Sequence, residues 1–341
     1  MGLELSAVEV VEPGYIALYR SGELERRAES LEKRLSSCDI CPRECGVNRL
    51  ENELGFCRSA HLPVVAAVCA HHGEEPAISG SRRSGTIFFA SCNMRCVYCQ
   101  NHQISQGDLG QYGEIEPHTL AERMLYLQDE LGCHNINFVS PSHFVPQLVR
   151  VVLEAVPMGL RLPLVYNTSS YDSVKSLREL DGIISIYLAD LRYASSKWGR
   201  KFSQVSGYVE RARAAIKEMY RQVGDLEVDD EGIARKGLIV RHLILPSGLA
   251  GSQDSLGWLV NEVSPGVAVS IMSQYFPAHR AAQIPLLSRK ISYSEYTEVT
   301  ELLDKLGIEN GWVQEMESAE NYRPDFTRDG HPFDTAVGSL K

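Results

Sequence analysis

The chain reads as an α/β protein, a partial (β/α)6 TIM-like barrel behind an N-terminal Cys-rich lobe. Three observations predict this. From residue 86 onward, short apolar runs alternate with amphipathic segments, the pattern of repeated βα units around a parallel sheet. The runs, at 86–90, 135–139, 164–167, 183–188, 238–245 and 267–272, number six, which suits an open barrel better than a closed eight-stranded one. Four cysteines crowd into 38–57, ahead of the first run. The expected divisions are an arm and Cys-rich lobe over 1–80, the barrel over 81–316 and a C-terminal extension over 317–341.

In chain order, the arm carries one expected helix, with Ser21 as its cap and Leu24, Leu31 and Leu35 on its apolar side. Between the strands, Leu120, Met124, Leu127 and Leu131 recur at helical spacing behind Pro117, which suits a first helical turn. Val209, Ala212, Ile216 and Met219 repeat that period, as do Val299, Leu302, Leu303 and Leu306. The stretch 224–236, rich in Asp, Glu and Gly, reads as an exposed loop.

With 341 residues and 44% hydrophobic content, the chain has ample material for a packed core. A formal net charge of −10 argues against a general binder of nucleic acid or anionic membranes. No apolar run is long enough to span a bilayer, and Glu4, Glu9 and Glu12 are unlike a secretory signal, so a cytoplasmic protein is expected. In that setting nine cysteines point to metal ligation or catalysis rather than disulfides.

Cys92, Cys96 and Cys99 form a C-x3-C-x2-C loop directly after the first barrel strand. A cubane cluster normally takes four thiolates, so three leave one iron without a protein ligand. A three-ligand zinc site or buried thiols are the alternatives; His102, the nearest imidazole, is a neighbour rather than a ligand. The spacing resembles the signature of radical S-adenosylmethionine (SAM) enzymes. Cys38-Asp-Ile-Cys-Pro-Arg-Glu-Cys45, His72-Gly-Glu-Glu-Pro76, Gly85 to Asn101, Tyr166-Asn-Thr-Ser169, Ile239 to Leu243 and Met272-Ser-Gln-Tyr275 extend the likeness. On these, the chain resembles the PflX-type branch of homologues of pyruvate formate-lyase activating enzymes.

The resemblance implies a radical SAM barrel with a [4Fe-4S] cluster on the three cysteines, its open iron chelated by SAM. It implies reductive cleavage of SAM to a 5′-deoxyadenosyl radical that abstracts hydrogen from a substrate. A glycine in a protein is one such substrate, and flavodoxin or ferredoxin is the implied class of electron donor. Tyr98 falls where an aromatic side chain usually lies near the adenine. A Gly-Gly-Glu stretch commonly follows the second strand in such enzymes, but here that place reads Val139-Ser-Pro-Ser-His143, leaving Ser140, Ser142 or backbone carbonyls as substitutes. Asn167 and Ser169 are placed for the methionine or ribose part, and Asp190-Leu-Arg192 stands where activating enzymes tend to carry Asp-x-Lys. Arg192 and Arg241 are candidates for the SAM carboxylate, or else partners of internal carboxylates. Gln274, Tyr275 and His279 follow the sixth run, facing the substrate or packing.

Cys38, Cys41, Cys45 and Cys57 offer four soft ligands, enough for a second metal, either tetrahedral zinc or an iron–sulfur cluster; otherwise they are reduced thiols in a loop-rich lobe. His71-His72-Gly73-Glu74-Glu75 supplies ligands, acid–base groups or a turn. Cys69 and Cys133 stand alone and read as buried small hydrophobes. Two other functions compete, a non-catalytic iron–sulfur electron carrier and a structural zinc protein.

Overall fold

The computed structural model describes residues 12–316, 324–328 and 331–333. Glu4, Glu9 and most of the expected C-terminal extension lie outside them. The fold is mixed α/β, with a nine-stranded, mostly parallel sheet. Its strands are β1 (Val65–His71), β2 (Ser84–Phe89), β3 (Ile136–Val139), β4 (Leu164–Thr168), β5 (Ile186–Asp190), β6 (Glu227–Val228), β7 (Ala234–Leu243), β8 (Ala268–Met272) and β9 (Gly311–Val313). The order β1-β2-β3-β4-β5-β7-β8-β9 runs edge to edge without closing, while β6 pairs only with β7.

All six expected strands are present, as β2, β3, β4, β5, β7 and β8. They were legible because parallel strands covered on both faces are almost continuously apolar, and β2 through β5 and β8 are buried at every position. Three further strands enlarge the sheet. β1 is an antiparallel, half-buried edge whose alanines carry little strand signal. β9 has only three residues and starts at Gly311, where φ is 128° and any Cβ would lie 1.9 Å from the carbonyl oxygen of Val269. The stretch 224–236 is not simply a loop: β6 folds back antiparallel on β7, and Ile233 and Ala234 are buried.

Ser21 does not cap the expected helix. It ends a preceding helix, Gly14–Arg20, by donating its N–H to the Ala17 carbonyl at 3.1 Å, and Gly22, at φ 76°, precedes the helix Glu23–Lys33. Glycine tolerates that left-handed turn where serine would be strained. Leu24, Ala28 and Leu31 of this helix are fully buried. The helix packs on Val145–Ala155, where Arg150 reaches Glu32 through two bonds of 2.7 and 2.6 Å. The other expected helices form as Pro117–Asp129, Tyr208–Val223 and Tyr293–Leu306. Ser292 and Glu295 close a reciprocal capping box on the last.

One apolar core runs from Leu24 and Leu31 through Phe138, Tyr166 and Tyr187 to Leu256 and Leu259, so the N-terminal helices and the barrel share a single interior. Fully burying each such leucine contributes about 1.5–3 kcal/mol. Among the described residues, no helix is long and apolar enough to cross a membrane.

Candidate active site

The C-terminal ends of the parallel strands open onto one cavity, lined by Cys92, Cys96 and Cys99 on one side and by Asn167, Asp190, Arg192 and Arg241 on another. The cysteine loop follows β2 and is held by backbone contacts. The Arg95 guanidinium donates to the carbonyls of Cys92 (2.7 Å), Met94 (3.0 Å) and Phe56 (2.8 Å). The N–H groups of Arg95 and Val97 reach the carbonyls of Ser203 and Phe202 at 3.0 and 2.8 Å. Each sulfur has a polar neighbour: the Met94 N–H donates to Cys92 Sγ at 3.4 Å, Ser203 Oγ lies 3.0 Å from Cys96 Sγ, and Ser105 Oγ lies 3.3 Å from Cys99 Sγ. Burial pushes the Cys92 thiol up to about 11 and the Cys99 thiol up to about 12. Deprotonation therefore needs a cation beside the sulfurs.

A second polar group fills the barrel interior. Asp190 and Arg241 are register partners on β5 and β7, so their side chains project together. Arg241 donates through Nε to Asp190 Oδ1 (2.7 Å), through Nη1 to Glu74 Oε2 (3.1 Å) and through Nη2 to Asn167 Oδ1 (2.6 Å). Arg192 Nη2 reaches Asp190 Oδ2 at 2.5 Å. Its Nε is buried with no hydrogen-bond partner among the described residues. Both arginines thus pair with internal carboxylates while lining the cavity.

Glu74 enters from the opposite edge. Because β1 runs antiparallel, its last residue His71 pairs with Ser84 at the start of β2, and the turn that follows carries Glu74 inward. There Asn137 Nδ2 donates to Glu74 Oε1 at 3.0 Å and Asn167 Nδ2 does so at 3.3 Å. Burial raises the Glu74 carboxyl to about 7 against the opposing pull of Arg241. Sequence reasoning placed Glu74 only in a turn with acid–base groups, and no local signal ties it to strand ends so distant in the chain.

Of the other expected site residues, Ser140 lines the cavity in a left-handed conformation (φ 57°), and Ser169 lines it too. Ser142 is a correction: it is absent from the cavity wall, and its Oγ pairs with Thr168 Oγ1 at 3.1 Å in a buried chain that continues to Asp172. Proline at 141, opening a short helical turn, swings it inward. Tyr98 lines the cavity, donates to Tyr193 Oη at 2.5 Å, and stands edge-on to Tyr275. Tyr193 continues through Ser203 Oγ (2.8 Å) to Cys96, a link with no sequence signature. Gln274 and Tyr275 lie on the wall, whereas His279 stacks on His102 at 4.9 Å, away from it. His71 stacks on Phe333 at 4.0 Å, and burial pushes it down to about 3, so its ring is neutral.

The four N-terminal cysteines line a separate small cavity together with Arg49 and His143. Burial pushes the Cys41 thiol up to about 12, with the other three thiols adding to the effect. Cys69 and Cys133 are buried apart from both groups. Among the described residues, no three His, Cys, Asp or Glu side chains converge tightly enough to hold a single metal ion.

No protein-family model matches the chain. An uncharacterized protein of Methanocaldococcus jannaschii, MJ0674, is 28% identical over 291 residues, covering 84% of this chain and 80% of that protein. The solved structure of TYW1 with a lysine-pyruvate adduct bound has a TM-score of 0.43 and 11% identity, over 67% of this chain and 76% of the other. HydG, a maturase of the [FeFe]-hydrogenase, has a TM-score of 0.47 and 12% identity, over 87% of this chain and 65% of the other.

Proposed function

We propose that the chain is a radical SAM enzyme. The observation that carries this reading is the convergence of three cysteines and a set of charged strand-end residues on one cavity. When bound and reduced, a [4Fe-4S] cluster supplies the electron that cleaves SAM to methionine and a 5′-deoxyadenosyl radical. The residues fit such a pair of groups. The three sulfurs stand on one loop with polar neighbours at 3.0–3.4 Å and would hold the cluster; among the described residues no fourth cysteine lines the cavity, which would leave one iron for SAM.

Arg192 Nε, buried without a partner, is the donor free to take the SAM carboxylate, and Asp190 keeps that guanidinium in place. Glu74 is the acceptor for the SAM ammonium. It supplies from the far edge of the barrel the carboxylate absent after β3, where the chain reads Ser-Pro-Ser. Arg241 holds Glu74, Asp190 and Asn167 in one arrangement and positions both. Tyr98, fixed by Tyr193, offers an aromatic face for the adenine.

The test is anaerobic reconstitution with iron and sulfide, addition of SAM and dithionite, and detection of 5′-deoxyadenosine by mass spectrometry. We expect slow release without substrate, and none from Cys92→Ala, Cys96→Ala or Cys99→Ala. Release from a variant lacking all three cysteines sinks the reading. For the substrate we propose a glycine Cα–H of a partner protein, on the strength of the motifs shared with activating enzymes. Incubation with a candidate glycyl-radical protein should give that protein's radical signal by electron paramagnetic resonance. Deoxyadenosine formation without that signal points instead to another peptide or a small molecule.

A further inference from the structure

The cavity of the N-terminal lobe holds an imbalance of charge. Arg49 lines it, is 1% exposed, and donates only to carbonyls, those of Ala60 (3.0 and 2.8 Å) and His143 (2.7 Å). Arg43, on the same wall, reaches the carbonyls of Asn93 (3.0 Å) and Gln204 (2.5 Å), and its guanidinium lies 3.4 Å from the Phe56 ring centre. Arg95 bonds only carbonyls as well. These three guanidinium groups thus sit within and between the two cysteine groups, with no carboxylate in an ion pair to any of them among the described residues. By contrast, Arg192 and Arg241 in the other cavity pair with carboxylates.

Arg49 is the buried one of the three, and a buried cation without an anion is a cost that neutral thiols do not repay. Four cysteines ligating a metal centre become thiolates and carry the missing negative charge. A second observation marks the cavity as built for a ligand. His143 is 1% exposed, lines it, and leaves Nδ1 buried without a partner, while Nε2 meets the Ala90 carbonyl at 3.3 Å.

Position selects the centre. Zinc has no redox chemistry, whereas an iron–sulfur cluster on the same four thiolates accepts and passes single electrons. Here four thiols surround one cavity, and the lobe adjoins the three-cysteine loop where the Cys57 carbonyl accepts from Ser91 Oγ.

We propose that Cys38, Cys41, Cys45 and Cys57 bind a second [4Fe-4S] cluster, which relays single electrons to the site at the three-cysteine loop. The choice of a cluster over zinc and the relay rest on the function proposed above; the presence of a metal centre does not. Cys45 is the exposed member and faces a donor, while Cys57 is buried and its carbonyl accepts from Ser91 Oγ, the residue before Cys92. A one-electron protein donor of the flavodoxin or ferredoxin class reduces the lobe cluster by one electron. That electron then leaves it for the loop cluster, and no proton or bond moves.

Metal analysis of the Cys92→Ala, Cys96→Ala, Cys99→Ala triple variant, reconstituted anaerobically, tests the cluster independently of SAM chemistry. About four irons and four sulfides per chain are expected, with a paramagnetic signal on reduction. One zinc per chain, or no metal, overturns the proposal. For the relay, deoxyadenosine release is driven once by dithionite and once by reduced flavodoxin, in the native chain and in a variant with all four lobe cysteines changed to alanine. The flavodoxin-to-dithionite ratio should fall at least tenfold in the variant. An unchanged ratio overturns the relay, and if that variant does not fold by circular dichroism, Cys45→Ala alone is read the same way.

Discussion

The two cysteine groups lie within a few side chains of each other and face opposite kinds of space. The loop group looks into a cavity whose walls carry Glu74, Asp190, Arg192 and Arg241 beside the three sulfurs. The lobe group surrounds a small cavity with no carboxylate on its wall. Ligand number and surroundings vary together. Three sulfurs beside charged and amide groups leave room for a polar, multiply charged molecule to complete a centre. Four sulfurs beside guanidinium groups and no carboxylate would complete it alone and exclude one. On the proposals above, the same residue type prepares one site for chemistry and the other for holding or passing charge.

Removing the loop sulfurs attacks this contrast most directly. Deoxyadenosine release in the triple alanine variant should drop to the background without enzyme, at least a hundredfold, while the lobe keeps its own metal. If iron content instead falls to nothing in that variant, the two regions are one site and the contrast is broken.

Arg241→Leu comes next. It leaves Asp190 and Glu74 facing an apolar side chain, and breaking a buried pair by deleting one partner costs about 3–5 kcal/mol. Urea denaturation of the metal-free protein should show that loss, with SAM affinity of the reconstituted protein at least tenfold weaker by calorimetry. Arg241→Lys should recover most of the stability but little of the affinity, because an ammonium cannot bridge Asp190, Glu74 and Asn167 at once. Unchanged affinity in a folded Leu variant makes Arg241 a structural residue only.

How much of this was legible depends on distance along the chain. The six inner strands were, since burial on both faces leaves an unbroken apolar run, and so was the cysteine loop, whose three cysteines lie within eight consecutive residues. β1 and β9 were not, because an edge strand of alanines and a three-residue strand opening on Gly311 carry no pattern of their own. Strand ends were found as candidates because the fold brings them to one edge; Asn167, Asp190 and Arg241 do meet there. Ser142 was misplaced because the turn at Pro141 decides which serine faces the cavity, and turn geometry is set by contacts made later. Glu74 and His143 were missed as members of their cavities because each comes from a segment remote from the cysteines it accompanies.

The smallest expected effect tests how polar the loop cavity is, through the protonation of Glu74. Two influences oppose each other there: burial favours the neutral carboxyl, and Arg241 at 3.1 Å favours the carboxylate. Burial wins, raising the group from its ordinary 4.5 to about 7. A carboxyl whose folded pKa lies above its unfolded one binds its proton more tightly when folded. Its contribution is therefore fully present below about 4.5 and is lost as pH rises through about 7. Four buried histidines act in the opposite sense: burial pushes His71 and His143 down to about 3, His242 to about 4 and His134 down as well, so their contribution is lost as pH falls below 6.5. The total slope mixes both signs, and only a difference between variants isolates Glu74. Urea stability of the metal-free native chain and of Glu74→Gln, measured between pH 5 and 7, should diverge by about 1 kcal/mol per pH unit, with the native chain losing relative stability as pH rises. Parallel curves mean that Glu74 is ionised throughout and that Arg241 governs it. The carboxylate would then be set for the SAM ammonium at every pH, and cleavage would lose the rise between pH 5 and 7 that a protonated Glu74 imposes.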